Sequence, residues 1–323
     1  MPARGEGIQL LRWFLLDGNR HAVTGALLTL TFVSILVIGS LWTFEMHRLL
    51  TETQAVQTVL ITFLSGIILL TSIVVSINSI VLSHDITDIE TQSERIEEIV
   101  SFRREIGNLS DTDEAPTDPS SFLEAMANII QEKAYELESV GEEENGEIAE
   151  EVREYVASIV GTAKQLELSL NRRQGGEFHA LWQGIETDYG PMMNRMRRFT
   201  STYDDRLSPE ATEQFEELLQ LFKTFATGRE YFKTLYYNRE VSSLSRTLLI
   251  VSLPTIIATA WATLIINADL LPEFWLLGLP PLLTFVALTF TVALIPFIVL
   301  TSYMIRLATV TRRTAAAGPF VLK

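Results

Sequence analysis

The chain has 323 residues, of which 47% are hydrophobic, and a net charge of −15 at pH 7, yet its mean hydropathy is positive at +0.22. A soluble acidic protein has a negative mean hydropathy, so the apolar residues must be segregated from the acidic ones, as in an integral membrane protein. The absence of cysteine excludes disulfides, thiolate metal sites and cysteine nucleophiles.

Four uncharged stretches are long enough to cross a bilayer as helices. A hydrocarbon core of about 30 Å requires roughly 20 helical residues. The stretches are residues 22–44, 53–83, 247–268 and 274–305. The first is longer than the apolar core of a signal peptide and does not end in small residues, so we expect it to stay in the protein.

The positions of lysine and arginine predict an orientation. Near the span ends, fourteen of these residues flank the termini and the long central segment, whereas the two short loops hold only Arg48. The positive-inside rule therefore predicts cytoplasmic termini and a cytoplasmic central segment in a multi-pass plasma-membrane protein. The predicted segments are an N-terminal segment (1–21), a first span pair (22–83), an acidic helical cytoplasmic domain (84–245), a second span pair (246–305) and a tail (306–323). The predicted fold class is all-α, with four transmembrane helices in a 2+2 arrangement.

The central segment carries the acidity of the chain. Residues 84–240 hold 34 Asp or Glu and 16 Lys or Arg, and only five of the 25 basic residues in the chain are lysine. This composition, acidic and poor in lysine, resembles that of proteins from extreme halophiles such as haloarchaea. The resemblance implies adaptation to molar salt, where the Debye length is about 3 Å, rather than an acidic docking surface for a cationic partner.

Helical periodicity extends through the central segment, and we expect no sheet. Ser121 and Glu124 have the spacing of a capping box and predict a helix start. Ser208 and Pro209 fit the N-cap and first position of a last helix, which we expect to continue into the third span.

One face of the second span is lined with hydroxyl side chains. Residues at successive spacings of three and four form this hydroxyl stripe, and Leu69 fills the one gap. The candidate site residues are Thr62, Ser65, Ser72, Ser76, Ser79 and Ser83, and Thr58 continues the same face. Two hypotheses remain open: the stripe is a helix-packing seam, or it lines a hydrophilic path along the axis of an oligomer.

Charged residues follow the stripe where the second span leaves the membrane. His84, Asp85 and Asp88 would repeat around the inner mouth of a ring and collect cations there, or they are simply solvated.

Prolines and further hydroxyls occur in the third and fourth spans. Pro254, Pro280, Pro281 and Pro296 are candidate helix breaks, either at a site between discontinuous helices or as tolerated kinks. The third span has its own hydroxyl face, which we interpret as helix packing. It comprises Ser252, Thr255, Thr259 and Thr263.

The sequence contains no phosphate-binding loop, nucleophile elbow or paired-histidine zinc motif, so we predict no catalytic residues, no metal and no cofactor. No Asp, Glu, Lys, Arg or His lies within the four stretches, which counts against coupled transport, and the acidic field opposes nucleic-acid binding. The expected partners are the lipid bilayer and further copies of the chain.

Two functions fit these features. The first is a non-catalytic membrane scaffold or signalling protein with a helical cytoplasmic interaction domain. The alternative is a homo-oligomeric passive ion channel lined by the hydroxyls of the second span. The layout is similar in topology to bestrophin-type anion channels and to the four-span subunit of the flagellar-motor stator, although no motif of either family matches.

Overall fold

The computed structural model describes residues 20–41, 50, 53–85, 89–109, 118–144, 146–171, 176–268, 270 and 280–314. Every regular element in these ranges is an α-helix, which confirms the all-α prediction. The helices are α1 (Arg20–Leu41), α2 (Ala55–Asp85), α3 (Ile89–Leu109), α4 (Pro119–Gly141), α5 (Gly146–Leu170), α6 (Gly176–Glu186), α7 (Gly190–Tyr203), α8 (Pro209–Asn267) and α9 (Pro281–Thr314).

Four helices, α1, α2, α8 and α9, are long and apolar enough to cross a membrane. Large apolar side chains lie exposed on their surfaces, including Leu30 at 62%, Leu253 at 63% and Trp261 at 63%. In water such a surface would promote association, whereas in a bilayer it is the surface that lipid covers. The chain is therefore compatible with a membrane protein. Residues 274–279, where the fourth span was expected to begin, lie outside the described ranges.

The chain divides into two compact units. The first unit comprises Met1–Ile86 and Arg239–Val310, and the second comprises Thr87–Asn238 and Thr311–Lys323. Helix α8 contributes to both, because its residues before Arg239 belong to the second unit and its later residues to the first.

The first unit is held together by apolar contacts among α2, α8 and α9. One core cluster joins Leu70 and Val74 of α2, Leu244 and Leu248 of α8, and Val299 and Tyr303 of α9. The rings of Phe63 and Phe290 meet edge to face with centroids 5.6 Å apart. Gly39 of α1 faces Leu283 of α9 so closely that an added Cβ would overlap that side chain, which explains the glycine at this crossing.

The second unit has an aromatic core. Tyr189 stacks on Phe222 with centroids 5.0 Å apart and meets Phe225 edge to face at 4.9 Å. Phe122 of α4 meets Phe232 of α8 edge to face at 5.2 Å. Such contacts add to the free energy gained by burying large rings, so α8 is the element against which the shorter helices pack.

The start of α4 differs from the expectation. The N-cap is Asp118 rather than Ser121, because an Oδ1 of Asp118 accepts hydrogen bonds from the backbone N–H groups of Ser120 and Ser121 at 2.9 and 3.0 Å. The Ser121 hydroxyl donates to the same carboxylate, and these bonds hold the pKa of Asp118 below its ordinary value. Pro119 then occupies a first-turn position that needs no N–H donor.

The start of α8 agrees with the prediction. The Ser208 Oγ accepts from the Ala211 N–H at 3.2 Å, and the helix begins at Pro209 and runs without interruption to Asn267. Neither Pro254 in α8 nor Pro296 in α9 interrupts its helix, and Pro281 is the first residue of α9, directly after Pro280.

Candidate functional site

The hydroxyl stripe of α2 is not covered by the described helices of the first unit. Its described members, Thr62, Ser65, Ser72, Ser76 and Ser79, are all exposed. The buried residues of α2 lie on another face and are Val56, Leu60, Ile67, Leu70 and Val74. Among the described residues of one copy, therefore, the stripe is not the seam along which α2 packs.

The stripe hydroxyls are satisfied as donors by their own helix. Each donates to the backbone carbonyl four residues earlier, at 2.8 Å for Thr62, 2.9 Å for Ser65 and Ser76, and 3.0 Å for Ser72 and Ser79. Such bonding permits a hydroxyl to lie in an apolar environment at low cost, and the oxygen can still accept a hydrogen bond from a neighbour.

The charged group at the end of the second span is not described. The side chains of Ser83, His84 and Asp85, and the whole of Asp88, lie outside the described residues.

A second set of hydroxyls is buried inside the first unit, and we call it the buried hydroxyl seam. It comprises Ser252, Thr255, Thr259 and Thr263 of α8 and Thr284, Thr289 and Ser302 of α9, each at most 8% exposed. The hydroxyl face predicted on the third span therefore points into the unit, whereas that of the second span points outward. No sequence pattern predicted the α9 members, because their spacing is irregular.

The hydroxyls of Ser252 and Thr259 differ from the other hydroxyls that α8 contributes to the buried seam. Thr255 donates to the Val251 carbonyl at 2.7 Å, and Thr263 donates to the Thr259 carbonyl at 2.8 Å. By contrast, the Ser252 Oγ and Thr259 Oγ1 atoms are buried without a hydrogen-bond partner among the described residues. A buried hydroxyl without a partner is costly and rare in native proteins, so these two positions stand out chemically.

An ion pair closes one end of the first unit. The Arg20 guanidinium donates to the Glu240 carboxylate at 2.8 Å, and the two side chains are only 13% and 15% exposed. Arg20 also lies over the ring of Tyr303, 5.2 Å from its centroid, and the Tyr303 hydroxyl lies 3.2 Å from that of Ser243. Sequence reasoning counted Arg20 only as a flanking charge, because its partner is 220 residues away and has no spacing signal.

The second unit contains a buried arginine side chain. The Arg229 side chain is 7% exposed, its Nε donates to the Ile185 carbonyl at 2.7 Å, and its Nη1 lies 3.4 Å from the Asp188 carboxylate. Burial lowers the pKa of Arg229, and burial also raises that of the neighbouring Tyr189 phenol. Arg229 fastens α8 to the end of α6, which is a structural role. The small cavity beside it, about 50 Å³, has room for ordered water.

No group of three or more potential metal-ligating side chains occurs in the part of the chain that the structure describes. The candidate site of the first unit therefore consists of an outward hydroxyl stripe on α2, a buried hydroxyl seam on α8 and α9, and the ion pair of Arg20 and Glu240 at one end of the unit.

The sequence as a whole matches one family. The model of the family of unknown function DUF7972 matches residues 1–323, so the chain belongs to this family. No curated protein and no solved structure matches the chain.

Proposed function

We propose that this member of DUF7972 is a non-catalytic membrane scaffold that self-associates through the hydroxyl stripe of α2. The observation that carries the proposal is the outward direction of that stripe. Small hydroxyl side chains let helices approach closely and hydrogen-bond to one another, and here they are left uncovered by the described helices of the first unit. A second copy is the occupant that fits best, since its identical stripe is equally small and equally able to accept a hydrogen bond.

The proposed topology has two span pairs, with both termini and residues 84–245 in the cytoplasm. The lysine and arginine distribution supports it, with Arg48 alone in the short loops. Contacts inside the first unit are consistent with it. The start of α1 at Arg20, the middle of α8 at Glu240 and the late part of α9 at Tyr303 meet at one end of that unit. This topology requires these three points to share one side of the membrane.

The role proposed for residues 84–245 is to recruit a cytoplasmic protein partner. The second unit is helical and has its own aromatic core, so it can present a stable surface to a partner. Binding through such a surface requires no catalytic residues. The proposed location is the plasma membrane of a salt-adapted cell, on the grounds of the acidic, lysine-poor composition.

A passive ion channel is the second candidate, and the same stripe favours it. If several copies form a ring with the stripes turned towards the axis, the hydroxyls would line a hydrophilic path. The two candidates differ in what the stripe touches: the scaffold places it against a neighbouring helix, and the channel places it against water and ions.

Substitution of Ser72 or Ser76 by leucine separates the candidates. The protein mass of each variant is measured by light scattering in nanodiscs at molar KCl, with the lipid contribution subtracted, and ion flux is measured in liposomes. Ser40→Leu is the matched control, because Ser40 is also exposed and also donates to its own helix, at the Val37 carbonyl, but lies on α1.

The scaffold predicts an oligomeric wild type, stripe variants reduced to monomers and a control that stays oligomeric. The channel predicts stripe variants that keep the oligomeric mass and lose the flux that the wild type shows. A monomeric wild type contradicts both candidates.

A further inference from the structure

We infer that the buried hydroxyl seam holds internal water molecules bonded to Ser252 and Thr259. These residues are 1% and 0% exposed, and neither hydroxyl has a partner among the described residues. Nearly all buried polar groups in native proteins are hydrogen-bonded, and ordered water supplies the partner where the protein does not. The inference concerns the interior of a single copy and is independent of self-association.

The packing of α8 against α9 determines which residues of the two helices lie opposite one another, that is, at the same level along the helix axes. Ser243 bonds to Tyr303, and Leu248 shares a core cluster with Val299. The numbers rise along α8 as they fall along α9, as in antiparallel neighbours. Extending this register places Ser252 at the level of Pro296.

Pro296 supplies the second polar group of this water site. It has no N–H, so the carbonyl of Val292, four residues earlier, loses its helical donor. Because Pro296 is buried, this carbonyl lies on the inner side of α9. A water molecule between the two helices can donate to the carbonyl and bond to the Ser252 hydroxyl, which gives it the two partners that an internal water requires.

The same register brings Thr259 to the level of Thr289. The Thr289 hydroxyl donates to the Phe285 carbonyl at 2.8 Å, which leaves its oxygen free to accept. A water at this level can therefore bond to both hydroxyls. The seam thus offers two sites, about seven residues apart along α8, or roughly 10 Å.

Charge favours a neutral ligand over a cation. The described seam residues are hydroxyls, and none of them carries a carboxylate. A cation bound among these side chains would have no compensating negative charge from them, which is unfavourable in a medium of low polarity. Water satisfies the same polar groups without that cost.

The test uses the full chain in nanodiscs, with Ser252→Ala and Thr259→Val as variants. Thr255→Val is the matched control, because Thr255 is 2% exposed on the same face but already bonds to its own helix. Hydroxyl radicals generated by X-rays from bound water oxidise the side chains beside it, and mass spectrometry locates the products. We expect oxidation at Pro296 in the wild type and in the control, and its loss in Ser252→Ala.

Thermal unfolding gives a second readout, because the direction of the change in Tm differs between the two possibilities. If water satisfies the hydroxyls, both variants lose hydrogen bonds and their Tm falls by roughly 2 °C or more. If the hydroxyls are truly unpaired, removing them relieves a desolvation cost and Tm rises. An unlabelled Pro296 together with a raised Tm would overturn the inference. A wild-type Tm that depends on Na⁺ against K⁺ at constant ionic strength, with the dependence lost in Ser252→Ala, would overturn it too and assign the site to a cation.

Discussion

Replacement of Gly228 by alanine tests how tightly the second unit is packed, because two opposing effects meet at this residue. Gly228 lies inside α8, and an added Cβ would be 2.5 Å from Cζ and 2.8 Å from Cε1 of Phe122. Carbon atoms in contact prefer about 3.5–4.0 Å, so the ring must move. It has little room to do so, since Phe122 is 5% exposed and packs against Phe232 and Phe102, with centroids 5.2 and 5.9 Å away.

The expected magnitude follows from the difference between the two effects. Alanine is favoured over glycine inside a helix by about 1 kcal/mol. Overpacking a core costs about 1–3 kcal/mol, and the upper part of that range applies because two ring atoms are approached within 3 Å. The net change is a loss of about 1–2 kcal/mol in the free energy of unfolding, or a few degrees in Tm.

The assay is thermal unfolding of the full chain in nanodiscs at molar KCl, followed by far-UV circular dichroism. Gly161→Ala is the control, because Gly161 lies inside α5 and an added Cβ there meets nothing within 4 Å. The control should stabilise the protein by up to about 1 kcal/mol, and adding Phe122→Leu to Gly228→Ala should recover part of the loss. A Gly228→Ala protein that unfolds at or above the wild-type Tm would refute the reasoning.

Three further predictions concern single features. Asp118→Ala removes the N-cap of α4 and should cost about 1 kcal/mol at neutral pH. Because the folded pKa of Asp118 lies below the unfolded value, its stabilisation is present above about pH 4 and fades as the pH falls through the folded pKa, so the difference between urea midpoints should shrink in acid. Arg20→Gln and Glu240→Gln should each lower Tm. The double variant should lose less stability than the two single losses added together, and thermal unfolding of all four proteins as a double-mutant cycle measures the difference. Dilution from molar to millimolar KCl should reduce the helical circular dichroism signal, and full retention of that signal would contradict the proposed adaptation to salt.

Much of the fold was predictable because it depends on local patterns. Runs of apolar residues gave the four long helices, and the pair Ser208 and Pro209 gave the start of α8 to the residue. The start of α4 was missed because two polar residues compete there. Asp118 and Ser121 both have suitable side chains, and the carboxylate prevails by accepting three hydrogen bonds, two of them from the backbone N–H and the hydroxyl of Ser121 itself.

The candidate site was less predictable because the direction of a helix face is a tertiary property. Periodicity identified the hydroxyl faces of α2 and α8 equally well, but only the packing of the helices shows that Ser72 points outward and Thr259 inward. The pairing of Arg20 with Glu240 depends on a contact between residues 220 apart in the sequence, and a single sequence holds no signal for it.

The bonding of the α2 hydroxyls has a consequence for how the protein is made. A newly synthesised span must leave the translocation channel for lipid before its neighbours have all arrived, and each free polar hydrogen would then resist the transfer. In α2 the hydroxyl hydrogens of Ser72 and Ser76 are already bonded to carbonyls of the same helix, so the segment can enter lipid unaided. The proposed assembly of copies would then follow as a separate and later event, governed by the concentration of protein in the membrane.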